Sequence, residues 1–319
     1  MKKFRLFASL LLGASLLLTG CSGSQNAQEK DKDNVVEIYT TVYPLQYFAE
    51  RIGGKDVSVE TIYPPGADEH TFEPSQKDMM ELADSDLFIY VGLGLEGFVE
   101  KAKETLKNED VKLISAGSEL QLGNRVKDQE EQEHEEHEED GHQHGDVDPH
   151  VWLDPQYAKA MAIEINTRLG EVLPSKKKQF DENYQQLAGE LDSLDKKFKN
   201  TLSDTKHDEF LVSHAAYGYW EDRYGIEQTS ISGLSTTNEP SQKKLGTLVT
   251  HAKKEGIKYV LMEQNFESRI AETVRKELNA KKLILHNLSV LTEEDIEKGE
   301  TYFTLMEKNL KTLDKALNE

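Results

Sequence analysis

The chain of 319 residues has a single cysteine, Cys21. A disulfide framework and a multi-thiolate metal site are both excluded within one chain, so a soft-ligand metal site has to be built from histidine. Basic residues are scarce: 38 Lys and Arg stand against 59 Asp and Glu, a formal net charge of -21. That balance excludes nucleic acid as a partner, because phosphate binding needs clustered Lys and Arg, whereas an acidic surface attracts cations. One apolar run stands out, Leu6 to Leu18, and its roughly thirteen residues fall short of the ~20 that cross a bilayer as a helix. No repeat recurs at a fixed period, and no H-E-x-x-H, G-x-S-x-G or P-loop pattern accompanies the candidate histidines. With 37% hydrophobic and 30% charged residues, the chain is neither a multispan membrane protein nor disordered throughout. At ~150 residues per domain, its length suggests two domains.

What is present begins with a leader. Lys2, Lys3 and Arg5 precede the apolar run, and Leu18-Thr19-Gly20-Cys21 closes it with small residues, the pattern of a signal peptide over 1–20. The tetrad resembles a bacterial lipobox, which implies lipidation of Cys21 and a membrane anchor on the extracytoplasmic face. Residues 21–34 are polar or small and read as a flexible tether.

From Val35 onward, short β-branched runs alternate with helical patterns. Strands are expected at Val35–Thr41, Val57–Tyr63, Leu87–Val91 and Val111–Ser115, with helices around Leu45–Ile52, Ser75–Ala83 and Leu95–Leu106. A second set places strands at Phe210–Ser213, Gln228–Ile231, Tyr259–Glu263 and Leu283–Leu285, and helices at Gln242–Glu255 and Arg269–Leu278. Such alternation implies two α/β lobes with parallel sheets. Between them, Phe180, Tyr184, Leu187, Leu191, Leu194 and Phe198 fall at spacings of three and four, one apolar stripe on a helix over 174–202. At ~1.5 Å per residue that helix spans about 43 Å, enough to cross a two-lobed molecule or, alternatively, to form a coiled-coil arm.

The segment Asp128–Asp146 holds ten Asp or Glu and four of the ten histidines, His134, His137, His142 and His144. Without large apolar residues it cannot offset the entropy of ordering and is expected to be a mobile loop. It reads either as a solubilising loop or, since acidity alone does not require imidazoles, as a weak multisite collector of divalent cations. Three further histidines lie in loops that can converge: His70 after Pro64-Pro65-Gly66-Ala67-Asp68-Glu69, His150 in Asp148-Pro149-His150-Val151-Trp152-Leu153-Asp154-Pro155, and His214 after the strand Phe210–Ser213. Ligands of parallel sheets bind beyond the carboxyl ends of strands, where such histidines emerge. Their separations of 80 and 64 residues match no local zinc motif. Asp154 reads as an acceptor for a ligand imidazole or as a turn residue, and Trp152, Tyr217, Tyr219 and Trp220 as cleft walls or plain packing. His207 and His251 read as solvated.

These segments, together with T-V-Y-P-L at Thr41 and N-E-P-S at Asn238, resemble the zinc-specific solute-binding lipoproteins of bacterial ABC transporters, over essentially all of Val35–Leu317. The resemblance implies one metal held by His70, His150 and His214 in a cleft between two α/β lobes joined by a long rigid helix. The implied layout is a first lobe at 35–173 with a His-rich loop at 125–147, a linking helix at 174–202 and a second lobe at 203–319. Three imidazoles with one open position suit tetrahedral Zn²⁺, and the manganese branch of the family has a carboxylate where this chain has His214. Some members carry an acidic residue shortly after the last strand, but Leu285–Val290 offers none. Glu69 or a water is therefore expected as fourth ligand, with His286 read as a surface histidine. The implied function is an extracytoplasmic, monomeric zinc receptor, not an enzyme, that hands Zn²⁺ to an ABC permease. A manganese or iron receptor of the same family and a zinc-dependent hydrolase are the alternatives.

Overall fold

The computed structural model describes residues 35–122, 147–237, 240–265 and 268–319. The leader, Cys21, the tether and the His-rich stretch with His134, His137, His142 and His144 lie outside them. The first lobe runs β1 (Val36–Thr40), α1 (Tyr43–Gly53), β2 (Val57–Thr61), α2 (Gln76–Asp84), β3 (Leu87–Tyr90), α3 (Val99–Leu106) and β4 (Lys112–Ser115), followed by α4 (Pro155–Val172) and the long α5 (Lys177–Leu202). The second lobe runs β5 (Glu209–Val212), α6 (Gly218–Tyr224), β6 (Glu227–Ser230), α7 (Gln242–Glu255), β7 (Tyr259–Met262), α8 (Arg269–Glu277), β8 (Lys281–Ile284), α9 (Glu293–Glu297) and α10 (Tyr302–Asn318). Among the described residues no helix is long and apolar enough to cross a membrane.

Both sheets are parallel and share one order, β2-β1-β3-β4 and β6-β5-β7-β8. Each chain path therefore reverses beside its first strand, and the loops leaving the strand ends at those reversals are where ligands bind in this architecture. The expected α/β class with two parallel-sheet lobes and a long helix between them is the observed one.

The stripe on α5 is buried at every position, Phe180 through Phe198. It packs against α1 and α4 on one side and α6 and α10 on the other, so its apolar face is consumed within the molecule and leaves no seam for a coiled-coil arm. Pro174–Lys176 form a separate 3₁₀ turn, and the α-helix proper starts only at Lys177. One apolar core is continuous from Val36 and Phe48 of the first lobe through α5 to Phe210, Leu261 and Leu313 of the second.

Two differences from the sequence reading have local causes. The helix expected from Leu95 starts at Val99, and it is preceded by a turn in which Gly92, Leu93 and Gly94 all take positive φ. That turn lets the buried Glu96 carboxylate accept from the amides of Val91 and Gly92, at 2.7 and 2.9 Å, and from Thr41 Oγ1 at 2.8 Å. The sequence reading also leaves Pro155–Val172 unassigned, whereas Asp154 starts a helix there by accepting from the amides of Gln156 and Tyr157. Its second oxygen meets Arg223, so Asp154 caps a helix and orients no imidazole.

Candidate metal centre

His70 leaves β2 on a turn anchored by Asp68, whose Oδ1 accepts from the His70 amide at 2.9 Å. His150 stands just before a 3₁₀ turn at Val151–Leu153 that leads into α4. His214 stands two residues beyond the end of β5. One candidate ligand atom from each lies within 4.8 Å of the others, in the only group of its kind among the described residues. Side-chain exposures are 7% for His70, 0% for His150 and 2% for His214. Three dispersed loops thus place three imidazoles together out of water.

Carboxylates fix two of the rings. Asp148 Oδ1 lies 2.7 Å from His150 Nδ1, which puts the ring proton there and leaves the Nε2 lone pair facing His70 Nε2 at 3.3 Å. Glu263, just beyond β7, meets His214 Nδ1 with Oε1 at 2.9 Å. His214 Nε2 lies 2.9 Å from the Leu234 carbonyl. Because both partners are acceptors, both nitrogens of that ring must donate, and His214 is an imidazolium in this arrangement. Burial lowers its pKa, but the charge and hydrogen bond of Glu263, with Glu69 and the Leu234 carbonyl, outweigh burial and raise it to about 9. Burial and the neighbouring imidazoles hold His70 at about 3, and His150 also lies well below its ordinary value.

Glu69 is buried with its Oε1 3.9 Å from His70 Nε2. It accepts from Asn287 Nδ2 at 3.1 Å and Ser289 Oγ at 2.9 Å, and is not within the three-imidazole group. Burial, then the Glu263 charge, raises its pKa to about 7. The same Asn287 amide donates to Glu263 Oε1 at 2.9 Å, so one side chain ties carboxylates from both lobes. Glu263 Oε2 is buried with no hydrogen-bond partner, a spare anionic oxygen beside three imidazoles, which fits a cation. Burial works to raise the Glu263 pKa, yet the His214 charge keeps it below the ordinary carboxylate value.

The sequence reading missed Asp148, Glu263, Asn287 and Ser289. Asp148 was visible two residues before His150, and the visible signal for Glu263 was a charge closing the apolar run Tyr259–Met262. Nothing local links Glu263 to His214, 49 residues away. His286 is a correction: it is buried, its Nε2 3.2 Å from Asp295 Oδ2 and its Nδ1 accepting from the Leu288 amide at 2.9 Å, so it is neither a surface residue nor part of the cluster. The four aromatic residues are buried and also support the cleft. Trp152 and Tyr217 donate to the carbonyls of Asn287 and Leu285, and Tyr219 and Trp220 to those of Asp148 and Leu153. His207 is exposed, and the exposed His251 pairs with Glu209 at 2.8 Å.

The family model described as zinc-uptake complex component A, periplasmic, matches residues 38–316. The chain belongs to this family. Among its relatives, the zinc-binding lipoprotein AdcA of Streptococcus pneumoniae is 36% identical over 319 residues, 100% of this chain and 62% of the relative. The chain thus spans less than two thirds of that protein. The high-affinity zinc uptake system protein ZnuA of Bacillus subtilis is 32% identical over 303 residues, 95% of this chain and 94% of the relative. Zinc-uptake component A architecture is also seen in the Zn(II)-bound ZnuA-like domain of S. pneumoniae AdcA, with a TM-score of 0.73 and 35% identity, covering 89% of this chain and 100% of that domain.

Proposed function

We propose that the protein is an extracytoplasmic receptor that takes one Zn²⁺ between His70, His150 and His214 and passes it to an ABC permease in the membrane. Cys21 carries the lipid that anchors it there, and the receptor works as a monomer. The observation that carries this reading is the convergence of three buried imidazoles from both lobes within 4.8 Å. Imidazole donors favour Zn²⁺ over Mn²⁺, which takes more oxygen ligands. Glu69 or a water fills the fourth position, and the charges of Glu69 and Glu263 balance the cargo. The names of the relatives, zinc-binding and zinc uptake, support the same ion. His134, His137, His142 and His144 collect zinc weakly ahead of the cleft.

Titration of metal-free protein with Zn²⁺ and Mn²⁺, with coordination read by X-ray absorption, tests the proposal. One tight zinc with imidazole ligands is expected, and Mn²⁺ should bind far more weakly. Replacing His70, His150 or His214 singly with Ala should weaken zinc binding by more than about tenfold, or ~1.4 kcal/mol each. Wild-type affinity in any one variant removes that residue from the site, and turnover of ester or peptide substrates by the zinc-loaded protein would make it a hydrolase.

A further inference from the structure

His70 and His150 turn their Nε2 atoms toward each other, but His214 has no nitrogen to spare. Its Nδ1 meets Glu263 and its Nε2 meets the Leu234 carbonyl, both at 2.9 Å. A metal needs a ring nitrogen with its lone pair free, so one of these oxygens has to withdraw before His214 can ligate. Glu263 is rooted: it is buried just beyond β7 and bonded by Asn287. Leu234 lies in the irregular turn after β6 and is 39% exposed. Two bonds hold that turn over the cleft. At its base the Ala215 amide donates to the Gly233 carbonyl at 3.2 Å. At its far end Thr236 Oγ1 reaches across to the first lobe and donates to Asp68 Oδ2 at 2.7 Å. Asp68 is the residue whose other oxygen anchors the His70 turn.

We infer that residues 233–236 form a strap that competes with zinc for His214. The Leu234 carbonyl accepts the His214 Nε2 proton and so stands where a metal would meet that nitrogen, and the Thr236–Asp68 bond keeps it there. Loading swings the carbonyl outward, and the Nε2 proton leaves to water as the metal bonds. Pressing the strap back onto His214 gives a docked permease a way to expel the ion without opening the lobes. This rests on the proposed role of His214 as a zinc ligand.

The test is Thr236→Val, which removes the hydroxyl and keeps the volume. Because it weakens the competing arrangement and no metal contact, it should tighten zinc binding by about tenfold and speed loading, the size expected for one hydrogen bond to a carboxylate. Affinity equal to or below wild type would overturn the strap. In the wild-type protein, amide hydrogen exchange at 234–236 should be faster with zinc than without, and slower or unchanged exchange would equally overturn it. Undiminished zinc binding by His214→Ala in the same titration would instead overturn the site reading, so the two failures are distinguishable.

Discussion

The protonation of His214 shows what single residues contribute that sequence cannot express. An unperturbed imidazole, with a pKa of ~6.5, predicts affinity that falls below about pH 6. His214 is held at about 9, above its ordinary value, so on the proposed ligand role zinc has to displace a proton from it throughout the neutral range. Affinity should therefore rise with pH, about tenfold per unit, until about pH 9. Calorimetry at about pH 7.5 in buffers of different ionisation enthalpy should find close to one proton released per zinc. Zero release would mean that His214 is neutral or is not a ligand. Glu263→Gln removes the charge that raises His214, so it should move the rise to lower pH. The three histidines were legible as loop residues after strands or before a turn, and only the family resemblance singled them out as one set. Their carboxylate partners were not, since the pairing of His214 with Glu263 exists only once β5 and β7 lie side by side.

At the scale of elements, legibility followed periodicity. The stripe of α5 repeats every three to four residues and is unambiguous, and short β-branched runs marked all eight strands to within two residues. Helix α4 escaped because its buried face is built from Ala158, Ala162 and Asn166 among larger residues, which blurs the contrast with its exposed side. Helix α10 carries a readable stripe at Leu305, Leu310, Leu313 and Leu317, beyond the alternation that revealed the strands. Because α5 joins both halves of the core, its aromatic end is a sensitive point. Phe198 is fully buried against Trp220 and Tyr224, with ring centroids 5.4 Å away in each case. Phe198→Ala should destabilise the protein by ~3–5 kcal/mol in a denaturant titration. A loss under about 1 kcal/mol would show that α5 is not bound to the second lobe by that contact.

For the whole molecule, the two-lobed α/β class was legible from alternation, whereas the cleft as a metal site came from the family resemblance. The acidic His-rich stretch, 128–146, proposed above as a weak zinc collector, lies outside the described residues. Its composition, without any large apolar residue, is the ground for expecting its zinc complexes to be weaker than that of the three-histidine site. Deleting 128–146 should remove weak zinc equivalents in equilibrium dialysis, leave one tight site, and slow uptake mainly at very low zinc. Loss of the tight site would make a loop histidine a primary ligand.

The continuous core has a consequence for how far the two lobes can move. Apolar residues run unbroken from one lobe through α5 into the other. The Tyr43 amide donates to the Ser289 carbonyl and Tyr302 OH to that of Trp152, which stitches the same seam. Swinging the lobes apart would wet that seam, at ~25 cal/mol for every Å² exposed. Movement that accompanies metal binding is therefore expected in the loops around the cleft and not between the lobes. On the proposed receptor role, a permease cannot sort full from empty copies by lobe angle. It has to sense the rim of the cleft.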